Sequence, residues 1–186
     1  TAGSPVVSGT FNNNNLVNLA TNREISLGGG GNSSGTFQLA GNTVLYFQST
    51  QYTLSTGASI TGDVGIGTVH ILPNMSVPNP ELRVTGDASI YTNFNMQGGK
   101  VTGAGSLSIG TDNNLTFDWT AGAMEGSGET VIEPSTNFNI SGAAVKTLNQ
   151  RRLINFWQAT WSGGNIEVSN GARIENSGIF DITVDA

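Results

Sequence analysis

The chain contains no cysteine and little charge. Without cysteine, neither disulfide bonds nor thiolate metal sites can hold the fold together. Charged residues make up 11% of the 186 positions, against roughly 25% in typical soluble domains. Seven Lys and Arg against 13 Asp and Glu give a net charge of −6, and the one adjacent basic pair is Arg151-Arg152. Because phosphate recognition needs a clustered basic surface, we expect no nucleic-acid partner.

Long hydrophobic runs and recognisable targeting segments are also missing. No stretch approaches the ~18 consecutive apolar residues of a membrane-spanning helix, so we expect no membrane insertion. The sequence has no initiating Met and no signal peptide, and it stops within a patterned stretch. We therefore expect a fragment of a longer, exported polypeptide. The thiol-free, weakly charged composition favours an extracellular or cell-surface location of bacterial type.

The residues that are abundant favour extended backbone and turns. Gly alone numbers 26, and with Asn, Ser and Thr it forms nearly half of the chain. Apolar residues still reach 37%, and they alternate with polar ones, as in Leu107/Ile109, Phe138/Ile140 and Phe180/Ile182. Alternation of this kind predicts half-buried strands, and no window shows helical periodicity. The chain is predicted to be an all-β protein.

An internal repeat of 23 residues is visible without gaps. Residues 96–117 align with residues 119–140, so that glycines meet glycines and apolar residues meet apolar residues. The matched pairs are Met96/Trp119, Gly99/Gly122, Val101/Met124, Gly103/Gly126, Gly105/Gly128, Ile109/Ile132, Asn114/Asn137, Leu115/Phe138 and Phe117/Ile140. A shorter theme recurs as Gly57-Ala-Ser-Ile60, Asp87-Ala-Ser-Ile90 and Gly171-Ala-Arg-Ile174.

A unit of this length cannot bury an apolar face alone, but stacked units can. The repeat predicts a right-handed parallel β-helix, a β-solenoid, of about eight coils of roughly 23 residues, with three sheets per coil. Residues 1–34 fit the repeat poorly and are expected to form an irregular first coil or cap before solenoid repeats over 35–186. An antiparallel jelly roll is the alternative; it explains the alternation but not the repeat.

The repeat also resembles a known family. The motif from Trp119 to Ile132, the Trp161-x-Gly-Gly segment and the Asn170-Gly-Ala-x-Ile174 segment resemble repeats of filamentous-haemagglutinin-like and autotransporter-like β-solenoids. These belong to large bacterial cell-surface proteins. The resemblance is good over residues 96–186 and loose over 35–95. It implies adhesion, scaffolding or a passenger stalk, and it carries no fixed catalytic residues.

Candidate chemistry is sparse. His70, the single histidine, is expected to be a solvated strand residue that points outward between Val69 and Ile71. Glu125 and Glu129 are considered because β-helix polysaccharide lyases and hydrolases use paired carboxylates, but the 23-residue register pairs neither with another acid. No calcium-binding repeat is present. We therefore predict no enzymatic activity, no catalytic residues, no metal site and no cofactor.

Aromatic and basic side chains give the binding hypothesis. Trp157, Trp161 and Tyr91 offer flat apolar rings on which sugars could stack, although packing is the alternative for the tryptophans. Arg151 and Arg152 lie in the segment 145–157, which breaks the pattern and is expected to leave the rod as a loop or short helix. Expected partners are a glycan or surface receptor and neighbouring repeats of the parent chain. The predicted function is a structural or adhesive segment of a surface protein; a carbohydrate-binding module and a β-helix lyase or hydrolase are alternatives.

Overall fold

The computed structural model describes residues 5–62, 67–110 and 114–184, and over these ranges the protein consists of strands and turns. No helix in the described ranges could cross a membrane. In chain order the strands are β1 (Val6–Val7), β2 (Leu16–Leu19), β3 (Glu24–Leu27), β4 (Gly31–Ser33), β5 (Thr36–Leu39), β6 (Val44–Phe47), β7 (Tyr52–Leu54), β8 (Ser59–Gly62), β9 (Thr68–Ile71), β10 (Glu81–Val84), β11 (Ala88–Tyr91), β12 (Asn93–Thr102), β13 (Ser106–Ile109), β14 (Leu115–Glu125), β15 (Glu129–Ile132), β16 (Thr136–Ile140), β17 (Lys146–Asn149), β18 (Arg152–Asn155), β19 (Gln158–Trp161), β20 (Ile166–Ser169), β21 (Arg173–Asn176) and β22 (Ile179–Ile182).

Each coil contributes strands to three faces. The first face stacks β1, β3, β6, β9, β12, β14, β16, β19 and β22. The second face stacks β4, β7, β10, the later halves of β12 and β14, β17 and β20. The third face stacks β2, β5, β8, β11, β13, β15, β18 and β21. The two long strands β12 and β14 bend from the first face into the second, so those two faces share one hydrogen-bonded sheet.

All these strand pairings are parallel, so the chain folds as a β-solenoid of about eight stacked coils. The predicted fold class is confirmed, and the antiparallel jelly roll is excluded. Met96 pairs with Trp119, and Ile109 pairs with Ile132, as the repeat predicts. The shorter theme is also confirmed as third-face strands, since Ile60 pairs with Ile90.

One part of the predicted register is wrong. On the first face Phe117 pairs with Phe138 and not with Ile140, so the step between these coils is 21 residues. Three residues separate β15 from β16, whereas five separate β13 from β14, which removes two residues from the repeat. The same 21-residue step returns in the next coil, where Phe138 pairs with Ala159. Asn137 consequently pairs with Thr116 and not with Asn114, its match in the predicted repeat.

The predicted glycine pairs stack because the backbones of successive coils touch at the turns. A Cβ atom on Gly122 would lie 2.5 Å from the carbonyl oxygen of Gly99, and one on Gly126 would lie 2.7 Å from that of Gly103. Both Gly122 and Gly126 have positive φ angles, 93° and 91°. Since other L-residues rarely adopt this conformation, both the conformation and the space select glycine.

The core is a set of columns in which like residues stack. The rings of Phe94, Phe117 and Phe138 lie nearly parallel, with centroids 4.9 and 4.8 Å apart. Beside them Met96, Trp119 and Ile140 form a second fully buried column. Trp119 is therefore a packing residue, as its place in the repeat suggests.

Residues 5–34, set apart in the sequence as an irregular first coil or cap, carry four strands that continue the same faces. Val17 pairs with Phe37, and Leu27 pairs with Phe47. The segment 145–157, expected to protrude, forms β17 and β18 within the rod. The longest excursion between described strands is instead residues 72–80, between β9 and β10, where Met75 is fully exposed.

Replacing Phe117 with alanine should lower the free energy of unfolding by about 3–5 kcal/mol, because it empties the middle of the phenylalanine column. Thr116→Ala is the matched control: Thr116 is the outward-facing neighbour, and its loss should change stability by less than about 1 kcal/mol. Urea unfolding followed by circular dichroism measures both. Equal effects of the two substitutions would contradict the assignment of the column to the core.

Candidate functional site

The turn between β18 and β19 presents Phe156 and Trp157 to solvent. Asn155, which is fully buried, holds this turn from below. Its Nδ2 donates to the carbonyl oxygens of Trp157 at 3.1 Å and Ile179 at 3.2 Å, and to Oδ1 of Asn176 at 2.7 Å. The Ile179 amide also donates to the Trp157 carbonyl at 2.7 Å. The backbone of the turn is thus fixed while its aromatic side chains remain outside.

We call the exposed surface around this turn the aromatic patch. Phe156 and Trp157 are each 45% exposed, and Ile179 on the next coil is 59% exposed. Gln158, Ser177 and Gly178 complete a shallow cavity of about 290 Å³. Ile179 pairs with Gln158, an outward position, so its side chain faces outward by register and not because the stack ends there.

The patch combines the groups that commonly recognise sugars. An exposed indole offers a flat apolar face, and an edge of polar side chains supplies hydrogen bonds. Gln158 provides an amide, and Ser177 provides a hydroxyl that can donate and accept. The arrangement therefore offers a flat apolar surface with polar groups at its edge, on a backbone that hydrogen bonds already fix.

Of the five residues predicted as binding candidates, only Trp157 lies in this patch. Trp161 belongs to an interior column above Ile140, and its Nε1 donates to the carbonyl oxygen of Gly164 at 2.9 Å. Tyr91 occupies an outward position on the third face beside Thr61, several coils away. Two further residues of the patch were not predicted from the sequence: Phe156, which adjoins Trp157, and Ile179, which only the 21-residue step brings alongside.

Arg151 is fully buried and is not accessible to a surface ligand. Its guanidinium donates to the carbonyl oxygens of Glu129 at 2.6 Å, Gly103 at 3.2 Å and Gly105 at 3.3 Å, and to Thr130 Oγ1 at 2.8 Å. Burial lowers the pKa of Arg151 to about 10, so the group remains charged at neutral pH. Arg151 therefore fastens the turns of three successive coils together.

Arg152 points outward from the third face and forms a ladder with acids from the coils on either side. Its guanidinium contacts Glu129 at 2.8 Å and Glu175 at 2.8 Å. The hydrogen bond from Arg152, followed by the charges of Arg152 and Arg173, holds the pKa of Glu175 below its usual value. All partners are substantially exposed, so these ion pairs contribute little stability.

Lys146 is a second fully buried cation, and its burial was not predicted from the sequence. Its Nζ donates to the carbonyl oxygens of Ala144 at 3.1 Å, Gly163 at 3.2 Å and Gly142 at 3.3 Å. Burial lowers its pKa. The only signal available in the sequence is the clustering of small residues around it, which leaves carbonyl groups accessible to the ammonium.

The groups considered for catalysis do not converge. His70 faces outward in register with Tyr46 and Asn95, as expected, but its ring stacks on Tyr46 at 5.1 Å and burial lowers its pKa. Glu125 contacts Lys100 at 3.0 Å, away from the Glu129–Arg152 ladder. Within the described part of the chain, no three His, Asp or Glu side chains form a metal-binding group.

Comparison with known proteins adds no relative. No protein family, no curated protein and no solved structure matches this chain significantly. The assignment of function therefore rests on the fold and on the surfaces described above.

Arg151→Met should destabilise the protein by about 3 kcal/mol, because several buried carbonyl groups lose charged donors. Arg152→Met is the matched control, with an expected effect below about 1 kcal/mol because its ion pairs are exposed. Guanidinium chloride unfolding of both variants measures the difference. If Arg152→Met were the more damaging substitution, the structural role assigned to Arg151 would be wrong.

Proposed function

We propose that the chain is a non-enzymatic structural and adhesive segment of an extracellular surface protein. The observation that supports this most is the continuous parallel stacking of coil upon coil from β1 to β22. Every coil is hydrogen-bonded to its neighbours, so the rod resists bending and local unfolding. Such an element suits a spacer that holds other parts of a protein away from a cell.

The parent protein is proposed to be a large bacterial surface protein of the filamentous-haemagglutinin or autotransporter type. Support comes from the repeat motif around Trp119 and Ile132, the thiol-free composition and the stacked coils that the motif predicted. On this proposal, neighbouring repeats of the parent chain continue the stack, and the lateral surface is free for contact with a receptor.

Carbohydrate binding is the second candidate function, and the aromatic patch favours it. The Phe156-Trp157 turn is fixed by Asn155 and exposes rings beside an amide and a hydroxyl. A preformed surface of this kind avoids the entropy loss of ordering a loop on binding. The patch would make the rod adhesive towards glycans.

A polysaccharide lyase or hydrolase receives less support. The acids considered for it, Glu125 and Glu129, are each paired with a cation, Lys100 and Arg152 respectively. Turnover of uronic-acid polymers in the presence of Ca²⁺, lost on replacing Glu129 with glutamine, would establish the enzymatic alternative over the proposal made here.

Trp157→Ala should reduce glycan adhesion at least tenfold, because one stacked aromatic contributes on the order of 1.4 kcal/mol or more. Beads coated with the chain are applied to a glycan array and to cells. Tyr91→Ala, which removes a half-buried, outward-facing aromatic on another face, is the control and should leave adhesion unchanged. If adhesion survives Trp157→Ala, the aromatic patch is not the adhesive site. If the unaltered chain does not adhere at all, only the spacer function remains supported.

The isolated chain should associate end to end at high concentration. The last described coil exposes residues from interior columns, with Val168 49% and Ile182 63% accessible, and its strand edges are unpaired. Light scattering across a concentration series should show a rising mass, and Ile182→Glu should suppress the rise. A constant monomer mass for the unaltered chain would contradict this expectation.

A further inference from the structure

Residues 72–80, which we call the overhanging loop, leave a groove between themselves and the first coils. The groove lies near the turn from the first face to the second and has a volume of about 490 Å³. It is remote along the rod from the aromatic patch, which is built on β18, β19 and β22. Its lining residues are Val6, Ser8, Ser26, Gly28, Gln48, Asn74, Met75, Ser76 and Val77.

The overhanging loop is anchored at both of its ends. Pro73 packs against Gly98, where an added Cβ would lie 2.5 Å from the proline Cγ, and Pro80 packs against Gly99 in the same way at 2.8 Å. Within the loop, Asn74 Oδ1 accepts hydrogen bonds from the amides of Ser76 at 2.9 Å and Val77 at 2.7 Å. Proline also restricts the backbone. The groove is therefore preformed.

The wall of the groove on the first face carries polar groups with defined orientation. Ser26 Oγ donates to Gln48 Oε1 at 2.7 Å, which directs the amide so that its Nε2 can donate to another molecule. Ser26 pairs with Tyr46, so the Tyr46 ring, stacked on His70, stands next to the groove on the same outward row. Hydroxyl, amide and aromatic groups thus lie together.

The chemistry of the lining restricts the ligand. None of the nine lining residues is charged, so a charged ligand would find no counter-charge there. Burial raises the pKa of Tyr46 beside the groove, and the Glu24 carboxylate raises it further, so this hydroxyl brings no charge to the groove at neutral pH. An extended peptide that added a strand to the sheet would need an unpaired edge, whereas β3 and β6, which form the polar wall of the groove, already pair with coils on both sides.

We propose that this groove binds a neutral oligosaccharide. Gln48, oriented by the buried Ser26, and Ser76 would bond its hydroxyl groups, and the aliphatic side chains of Val77 and Met75 would cover its apolar edge. The groove is separate from the aromatic patch, so binding at one of them can be disproved without affecting the proposal for the other.

The test titrates ¹⁵N-labelled protein separately with cellohexaose, chitohexaose and maltohexaose, and with hexagalacturonate as the acidic comparator. At least one neutral sugar should shift the amide signals of residues 26, 48 and 74–77, and hexagalacturonate should shift none of them. Gln48→Ala should weaken the binding of that neutral sugar about tenfold. Gln38→Ala, an exposed glutamine on the third face of the same region, is the matched control and should have no effect.

Two further variants keep the outcome decisive. Ser76→Trp fills the groove from the loop, outside the stacked coils, and should abolish the shifts without changing the thermal midpoint. Trp157→Ala should leave the shifts intact. The proposal is overturned if no neutral hexasaccharide shifts these signals, if hexagalacturonate shifts them as strongly, if Gln48→Ala binds like the unaltered protein, or if Trp157→Ala removes the shifts.

Discussion

The structure depends on one constraint: the backbone of each coil is hydrogen-bonded to the coils before and after it. A residue that faces the interior in one coil therefore meets an interior residue about 21 positions later, as Phe117 meets Phe138. The same constraint makes glycine meet glycine at some of the turns that touch, as at Gly99 and Gly122. Repetition in the sequence is thus a consequence of stacking, and substitutions inside a column affect at least two neighbours at once.

Stacking also creates a problem at the turns, where carbonyl groups of successive coils point inward beside one another. Arg151 and Lys146 solve it by placing a cation among these oxygens, with no carboxylate nearby in their hydrogen-bond sets. A guanidinium spans several coils because its five donors spread in a plane, whereas an ammonium serves a single cluster. These buried basic residues stabilise the scaffold, so the number of basic residues in the sequence indicates little about binding partners.

Sequence periodicity was sufficient to predict the parallel stacked fold, the inward columns and the glycine pairs, since each follows from a repeat of side-chain types. It was insufficient for the turns. The connection before β16 is two residues shorter than the one before β14, so Asn137 lies above Thr116 and not above Asn114. No pattern within one coil indicates such a change in length. For the same reason the aromatic patch could be predicted only in part. Trp157 was recognisable from its residue type, whereas Ile179 lies beside it only because of the observed register. Arg151 was misplaced because a buried arginine and an exposed one are identical in sequence.

Where the repeat is interrupted, the constraint of stacking no longer fixes the residue type, and those positions can carry binding surfaces. The Phe156-Trp157 turn and the overhanging loop are two such interruptions, and both border the first face. Their side chains project from backbones that the adjacent coils hold in place, through Asn155 in one case and Pro73 and Pro80 in the other. Rigid support with unconstrained side chains is the combination that binding sites need. A solenoid can therefore vary its contacts with other molecules while its core remains unchanged, because the residues of the core and those at the interruptions contact different neighbours.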